Sequence, residues 1–282
     1  ANYEKAEEVA KREVLDYHIN DADGMLLLGD IYLEWGTEKD AAKLEDARKQ
    51  YATLVQLYGQ TDLYMSRMMR YFIRTDNLRE VLELKERFYP KEKSLGAADW
   101  TELSGYMLDK LYGELAPSDE YLRTHIEDVK DMLVRAVKAD PENPTALYNL
   151  SRYFVHMNSG DSAVQTLERT IDAFKKSQSR RRRDTYREID SYRLLGEQYV
   201  KQKEYLKAQE SYTGGISIFV DEQNNSGFEG NEQIGQLYAD AGDIDYFIRG
   251  DLDSAYDEYT TAVKTEYDTP SLHYRIGCID YG

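Results

Sequence analysis

The feature that most constrains this chain is a recurring pattern of small and large residues in paired amphipathic segments. The clearest copy is residues 189–216, IDSYRLLGEQYVKQKEYLKAQESYTGGI, in which two helical patterns flank a short polar turn. Gly196 and Ala208 are small where two helices would have to approach closely, and Tyr199 and Tyr212 are large where that crossing needs filling. The pattern predicts a helix–turn–helix unit.

Further copies of this unit follow in register along the chain. Residues 144–171, PTALYNLSRYFVHMNSGDSAVQTLERTI, place Ala163 where the first unit has Ala208. Residues 25–36, MLLLGDIYLEWG, place Gly29 where it has Gly196. One Leu-Gly pair would mean little, but several units in register indicate a repeat architecture. We therefore expect an all-α fold of about 14 helices.

This pattern resembles the tetratricopeptide repeat (TPR), a unit of about 34 residues, and the resemblance covers nearly the whole chain. It implies a right-handed superhelical solenoid of helix–turn–helix repeats. Both ends of the sequence would fall in the middle of a repeat, as expected for a fragment of a longer protein. The implied divisions are a leading second helix at about 1–20, repeats at about 22–61, 62–96, 97–143, 144–188, 189–227 and 228–269, and a trailing first helix at 270–282.

Two details of this register are specific enough to be checked. In the sixth repeat, EQIGQLY supplies the signature, so Gly235 is expected at the helix crossing and Gly242 in a polar turn. Between the fourth and fifth repeats the register leaves 11 extra residues, from which Arg182, Arg183 and Arg187 could extend into the next helix. We expect this insertion to contribute little to the core.

Composition narrows the function classes. The formal net charge is −17, with 41% hydrophobic and 32% charged residues, which is typical of a folded protein with a polar surface. A strong negative charge disfavours general nucleic-acid binding, because that requires neutralisation of phosphates. No His or Cys residues stand at metal-ligand spacing, and no phosphate-binding loop or nucleophile elbow is present. We expect no catalytic residues, no metal and no cofactor.

The TPR resemblance implies where partners would bind. In that family the first helix of each repeat lines a concave groove, and its positions 2, 5, 9, 12 and 13 face the bound segment. The residues that this assigns to partner binding, with one neighbour, are Arg70, Arg74, Tyr148, Asn149, Arg152, His156, Arg193 and Lys201. We expect charge reversal at Arg70 or Arg152 to weaken partner binding without lowering the melting temperature.

The segment KKSQSRRRR, residues 175–183, is a second candidate site. Its basic residues are Lys175, Lys176, Arg180, Arg181, Arg182 and Arg183. A solvated loop is one interpretation, since runs of charge usually mark exposed segments. Docking to an acidic protein surface, such as another copy of this chain, is the second. Nucleic acid is the third, and it is disfavoured by the surrounding negative charge.

The function favoured by these observations is a non-enzymatic scaffold that binds protein partners and assembles a larger complex. A co-chaperone that grips a C-terminal carboxylate is an alternative, but no repeat has that family's Lys at position 5 with Asn at position 9. A helical-repeat reader of nucleic acid would need a positive groove throughout, and here the charges alternate.

A less specific resemblance concerns RMMRYFIRTDNLREVLELKERF, residues 67–88, and the Tyr/Asp-rich style of the chain. Both are similar to TPR proteins of the spirochaetal periplasmic flagellar collar. This resemblance implies a bacterial flagellar assembly and a periplasmic location; without it, a cytoplasmic location is the default expectation.

Overall fold

A computed structural model describes residues 2–12, 21–91, 95–112, 126–177 and 182–281. These residues form fourteen α-helices, and no β-strand occurs among them. The helices are α1 Tyr3–Arg12, α2 Ala22–Glu38, α3 Lys43–Tyr58, α4 Asp62–Arg74, α5 Leu78–Phe88, α6 Ala97–Tyr112, α7 Ile126–Ala139, α8 Pro144–His156, α9 Gly160–Lys176, α10 Arg182–Lys201, α11 Tyr205–Ser226, α12 Glu232–Ile244, α13 Leu252–Lys264 and α14 Pro270–Tyr281. The prediction of an all-α fold is confirmed.

Short polar residues begin several of these helices. Asp21 accepts a hydrogen bond from the Gly24 backbone N–H at 2.8 Å, and Asn143 accepts one from Ala146 N–H at 3.0 Å. Each side chain satisfies a backbone donor that has no partner inside its helix. Asp251 does the same for Ser254 N–H at 3.2 Å. Asp21, Asn143 and Asp251 therefore each cap the start of a helix.

The chain divides into two compact units, residues 1–139 and 140–282. In the first, α2 pairs with α3, α4 with α5 and α6 with α7, while α1 packs on α2. In the second, α8 pairs with α9, α10 with α11 and α12 with α13, and α14 packs on α13. Each pair consists of two helices that are adjacent in the sequence and packed together. The six repeat boundaries given above remain a prediction.

Within three pairs, a tyrosine ring of the second helix lies against a glycine of the first. A Cβ atom added to Gly29 would lie 2.6 Å from the Tyr51 ring, and one added to Gly196 would lie 2.2 Å from the Tyr212 ring. Tyr51 is fully buried and Tyr212 is 2% exposed. The ring occupies the space that any side chain would need, so only glycine permits this close helix crossing.

The third such crossing corrects the register in the sixth repeat. A Cβ atom on Gly242 would lie 2.7 Å from the Tyr259 ring, and Gly242 is buried inside α12. The expectation of Gly242 in a polar turn was therefore wrong: this glycine, and not Gly235, has the place of Gly196. The EQIGQLY match therefore selected the wrong glycine. Gly235 is also crowded, since a Cβ atom on it would lie 2.4 Å from Tyr267.

A π-helical turn, Asp245–Arg249, follows α12 directly. Gly242 and Tyr259 are 17 positions apart, whereas Gly196 and Tyr212 are 16 apart. A π turn takes one more residue than an α turn between hydrogen-bonded groups. It therefore accommodates the extra residue and leaves the ring of Tyr259 on its glycine. Gly250, at φ +66°, then closes the turn in the left-handed region.

The insertion before the fifth repeat is helical from Arg182 onward, because α10 begins there. Its residues are packed: Thr185 and Glu188 are 4% and 1% exposed, and the ring of Tyr186 lies 4.4 Å from that of Phe228. The extension of the arginines into the next helix is confirmed. The expectation that the insertion contributes little to the core was wrong for the part that the structure describes.

None of the helices within the described ranges combines the length and apolar character that a bilayer crossing requires.

The crossing generates a stability prediction within the second unit. Gly196→Ala should lower the free energy of unfolding by about 1–3 kcal/mol, because the new methyl group overlaps the Tyr212 ring. Gly277→Ala is the matched control: it is also helical, but nothing lies within 4 Å of its Cβ position, so alanine should be neutral or stabilising. Urea unfolding followed by circular dichroism measures both. Equal losses would contradict the assigned crossing.

Candidate protein-binding surfaces

In the first unit, the predicted binding arginines of α4 form ion pairs with α6. The Arg70 side chain donates to Asp99 Oδ1 at 2.7 Å, and Arg74 donates to Glu102 Oε1 at 3.0 Å. Asp99 is 9% exposed and Arg70 20%. Burial alone would lower the pKa of Arg70, but the attraction of Asp99 and Glu102 outweighs it and the pKa is raised. Arg70 and Arg74 therefore join neighbouring helices.

In the second unit, Tyr148 and Arg193 meet at one buried carboxylate. The Tyr148 hydroxyl donates to Asp190 Oδ2 at 2.8 Å, and the Arg193 guanidinium donates to Asp190 Oδ1 at 2.9 Å and also to Glu197. Burial raises the pKa of Tyr148, and the neighbouring Asp190 adds to the shift. Burial opposes the charge of Arg193, yet its two carboxylate partners raise its pKa. This cluster joins α8 to α10.

The other predicted residues differ in exposure. Asn149 is 5% exposed, and the Arg152 guanidinium lies over the Tyr148 ring, 5.5 Å from its centroid. His156 and Lys201 are exposed at the ends of α8 and α10. Of the predicted set in this unit, Arg152, His156 and Lys201 are thus the side chains that present surface, whereas Tyr148, Asn149 and Arg193 are largely buried.

The basic segment is partly engaged within its own unit. Lys176 forms an ion pair with Asp172 at 2.5 Å, and Lys175 lies over the Tyr192 ring at 5.7 Å. Arg182 pairs with Glu229 at 3.0 Å. Arg183 begins α10 beside it and also has an interaction within the chain. Arg180 and Arg181 lie outside the described residues.

Sequence reasoning missed an aromatic surface on the π turn Asp245–Arg249 and on α14, which we call the aromatic patch: Tyr246, Phe247, Tyr274 and Arg275. Phe247 is 61% exposed and Tyr274 75%. The rings of Tyr246 and Phe247 lie 4.8 Å apart, and the Arg275 guanidinium lies 5.4 Å from the Phe247 centroid. Exposed aromatics beside an arginine are typical of interface hot spots. Counting from Gly242 instead of Gly235 would have placed Tyr246 and Phe247 at ligand-facing positions 12 and 13.

An acidic position lies beside this patch. Arg67 of α4 pairs with Asp30 at 2.9 Å, and Arg275 of α14 pairs with Asp243. Met69 and Gly277 occupy the repeat position that Gly242 occupies in α12. Arg67 and Arg275 each lie two residues before that position, and in α12 the corresponding residue is Asp240. Where the other two helices have an arginine, α12 therefore has a carboxylate.

Asp240 is surrounded by charges from three helices. Arg193 and Glu197 face it from α10, Asp243 from its own helix and Arg275 from α14. Burial raises the pKa of Asp240 to about 7, with further contributions from Glu197 and Asp243 that the two arginines oppose. Burial likewise raises the pKa of Glu258 on α13. Within the described ranges, no group of His, Cys, Asp and Glu has a geometry that could hold a metal ion.

No protein family matches this sequence, and no curated protein matches it. Two of the solved structures that are similar to this chain share its fold. The crystal structure of the APC/C hetero-tetramer Cut9-Hcn1 is similar with a TM-score of 0.63 and 12% identity, over 99% of this chain and 46% of that one. The apo form of RapI gives 0.61 and 12%, over 90% and 71%. A tetratricopeptide repeat protein from Parabacteroides merdae ATCC 43184 gives 0.46 and 10%, over 98% and 92%.

The chain thus spans less than half the length of the Cut9-Hcn1 chain that it matches. Helix pairs that cross at small residues, together with this structural similarity, define a TPR-like helical-repeat fold. The fold class predicted from the sequence is confirmed.

The ion pairs in the first unit lead to a prediction that differs from the sequence-based one. Arg70→Glu should lower the free energy of unfolding by about 2–4 kcal/mol, because it leaves Asp99 beside a second carboxylate in a largely buried site. Arg70→Glu combined with Asp99→Arg should recover most of that loss. Arg79→Glu, at a side chain 85% exposed, is the control and should change stability by less than ~1 kcal/mol. Absence of recovery in the double variant would argue against the pair.

Asp240 should make stability depend on pH. Its carboxyl releases a proton near pH 4 when unfolded but near pH 7 when folded, so the folded state holds one more proton between these values. The free energy of unfolding should therefore fall as pH rises from 4 to 7, by on the order of 2–4 kcal/mol. Asp240→Asn should remove this loss, whereas Asp253→Asn, at an exposed residue of α13, should not. Urea unfolding at pH 5 and pH 8 tests the difference. The same change in the free energy of unfolding for both variants would contradict the role of Asp240.

Proposed function

We propose that this protein is a non-enzymatic scaffold that binds protein partners through the exposed faces of its first helices and so builds a larger assembly. The observation that carries the proposal is the aromatic patch. Phe247 and Tyr274 expose 61% and 75% of their surface, and the Arg275 guanidinium beside them presents a charged group. Large rigid aromatics contribute much contact area at low entropic cost, which favours partner binding.

The residues predicted from the sequence have two roles in this proposal. Arg152, His156 and Lys201 present surface on α8 and α10, and we propose that they contact partners. Arg70, Arg74 and Tyr148 hold neighbouring helices together within their own units, and Arg193 pairs with Asp190, the carboxylate that accepts from Tyr148. Asn149 is buried next to Tyr148 in α8. Their contribution to binding would then be indirect, through the positions of the helices.

The alternatives receive less support. A carboxylate-gripping co-chaperone needs free basic side chains on its groove, but Arg70, Arg74 and Arg193 are already paired with carboxylates. The same pairing weakens any attraction for phosphate, and so disfavours a nucleic-acid reader. For the basic segment, docking to an acidic protein surface remains a prediction; Lys176 and Arg182 already have acidic neighbours within the unit.

A similar fold occurs in the Cut9-Hcn1 hetero-tetramer, a complex of two proteins. That likeness supports a role in assembly without naming a partner for this chain. The sequence resemblance to TPR proteins of the spirochaetal flagellar collar makes a periplasmic flagellar assembly the first one that we propose to test.

The proposal predicts that substitutions in the aromatic patch reduce the binding of protein partners. The intact chain should recover specific proteins in a pull-down identified by mass spectrometry, and a photo-crosslinking residue in place of Tyr274 should link to at least one of them. Phe247→Ser with Tyr274→Ser should reduce that recovery about tenfold or more, because two hot-spot rings are lost. The melting temperature should stay within a few degrees, since both rings are mostly exposed.

Val220→Ser is the matched control, because Val220 is also an exposed apolar residue, 39% exposed on α11, outside the patch. Equal recovery by all three chains would place partner binding elsewhere on the surface. Recovery of no protein at all, together with a turnover activity of the chain, would contradict the scaffold.

A further inference from the structure

A groove of about 740 Å³ lies in the second unit, between α11 and the π turn that follows α12. Leu206, Thr213 and Ser217 line it from α11, and Ile244 and Ile248 line it from the other side. The lining is mostly apolar. We call it the α11 groove. Within the described part of the chain, none of its lining residues belongs to the aromatic patch.

The walls of the α11 groove carry large apolar side chains that face solvent. Leu206 is 81% exposed and Ile248 is 48% exposed. Thr213, Gly214 and Ser217 are small residues that line the groove from α11, and we call them its floor; the Cβ position of Gly214 itself faces the Tyr192 ring. The lining from Leu206 to Ser217 runs along ~17 Å of helix, or about three turns. These dimensions fit one amphipathic helix, whose large side chains would fill the space above the small ones.

In the described part of the chain, one polar atom of a lining residue is buried without a partner. The Oε1 atom of Gln209 is buried, and the structure gives it no hydrogen-bond partner among the residues that it describes. An acceptor left without a donor is costly, by about 1–3 kcal/mol.

The charge around the groove indicates which charge a bound segment should carry. From the start of α11 to the end of the chain, residues 205–282 contain fifteen acidic and four basic side chains, a net charge of −11 out of −17 for the whole chain. Arg249, which is at the rim, is already paired with Asp245 at 2.6 Å, while Glu210 is exposed at the rim. A positively charged segment would therefore be attracted to this surface, and a negatively charged one repelled.

We propose that the α11 groove binds a basic amphipathic helix of a partner protein, with the apolar side of that helix on Leu206 and Ile248 and its basic side toward the acidic rim. This inference rests on the proposed protein-binding function but concerns a separate surface. A scaffold with both surfaces would hold two partner segments at once.

The test uses the intact chain and two synthetic helices of about 18 residues, long enough to form a helix in water. One has leucine at i, i+3, i+4 and i+7 spacing with lysine elsewhere; its twin has glutamate in place of lysine. Fluorescence anisotropy should show the lysine helix binding, more weakly as salt rises, and the glutamate twin at least tenfold weaker. Leu206→Ser with Ile248→Ser should weaken the lysine helix about tenfold, because two apolar anchors are lost.

Two further variants make the result specific. Thr213→Trp, at an exposed residue of the floor, should also weaken binding by filling the groove, and Val220→Ser, on the same helix outside it, should leave affinity unchanged. Equal affinity for all variants would mean general attraction to an acidic surface and would overturn the proposal. Light scattering that shows a dimer would also overturn it if Leu206→Ser with Ile248→Ser dissociates that dimer, because a second copy of this chain would then occupy the groove. Either result would leave the pull-down test of the aromatic patch unaffected.

Discussion

The structure depends on the contact between a tyrosine ring and a glycine where two paired helices cross. At Gly29, Gly196 and Gly242 the ring occupies the volume of a side chain, so the helices approach to backbone distance. A buried tyrosine needs a partner for its hydroxyl group, and two of these rings find it in the residue after the glycine: Tyr51 donates to Asp30 at 2.7 Å and Tyr259 to Asp243 at 2.8 Å. At these two crossings, the glycine makes room for the tyrosine ring and the acidic residue after it accepts the hydrogen bond of the tyrosine hydroxyl.

That acid also links each pair to the next. Asp30 accepts from Arg67 of the following first helix, and Asp243 pairs with Arg275 in the same way. A carboxylate that serves a buried tyrosine and an arginine together is well compensated for its burial. In the first unit, Arg70 and Arg74 of one first helix likewise pair with carboxylates of the next first helix. Arg193 pairs with Asp190 and Glu197 of its own helix, and Asp190 in turn joins that helix to Tyr148 of α8.

How far the sequence could predict this depends on the range of the interactions. Helix starts at Asp21 and Asp251 follow from local turn chemistry. The all-α fold follows from periodic small and large residues, and it was predicted. The place of Gly242 was missed because two glycines seven residues apart both precede plausible helix patterns, and only the acid after Gly242 distinguishes it from Gly235. The Arg70–Asp99 pair joins positions 29 apart, and no periodic pattern within one repeat indicates such a contact.

The π turn shows how one extra residue can create surface without disturbing the core. The Tyr259 ring lies on Gly242 in spite of the added residue, so the buried crossing is the same as that of Tyr212 on Gly196. The displacement is confined to Asp245–Arg249, where Asp245 stays 2% exposed while Phe247 and Ile248 are 61% and 48% exposed. Phe247 contributes to the aromatic patch and Ile248 to the α11 groove, so consecutive residues supply two different surfaces. An ordinary α-helical turn of one residue fewer could not direct both of them outward and still deliver α13 to the same crossing.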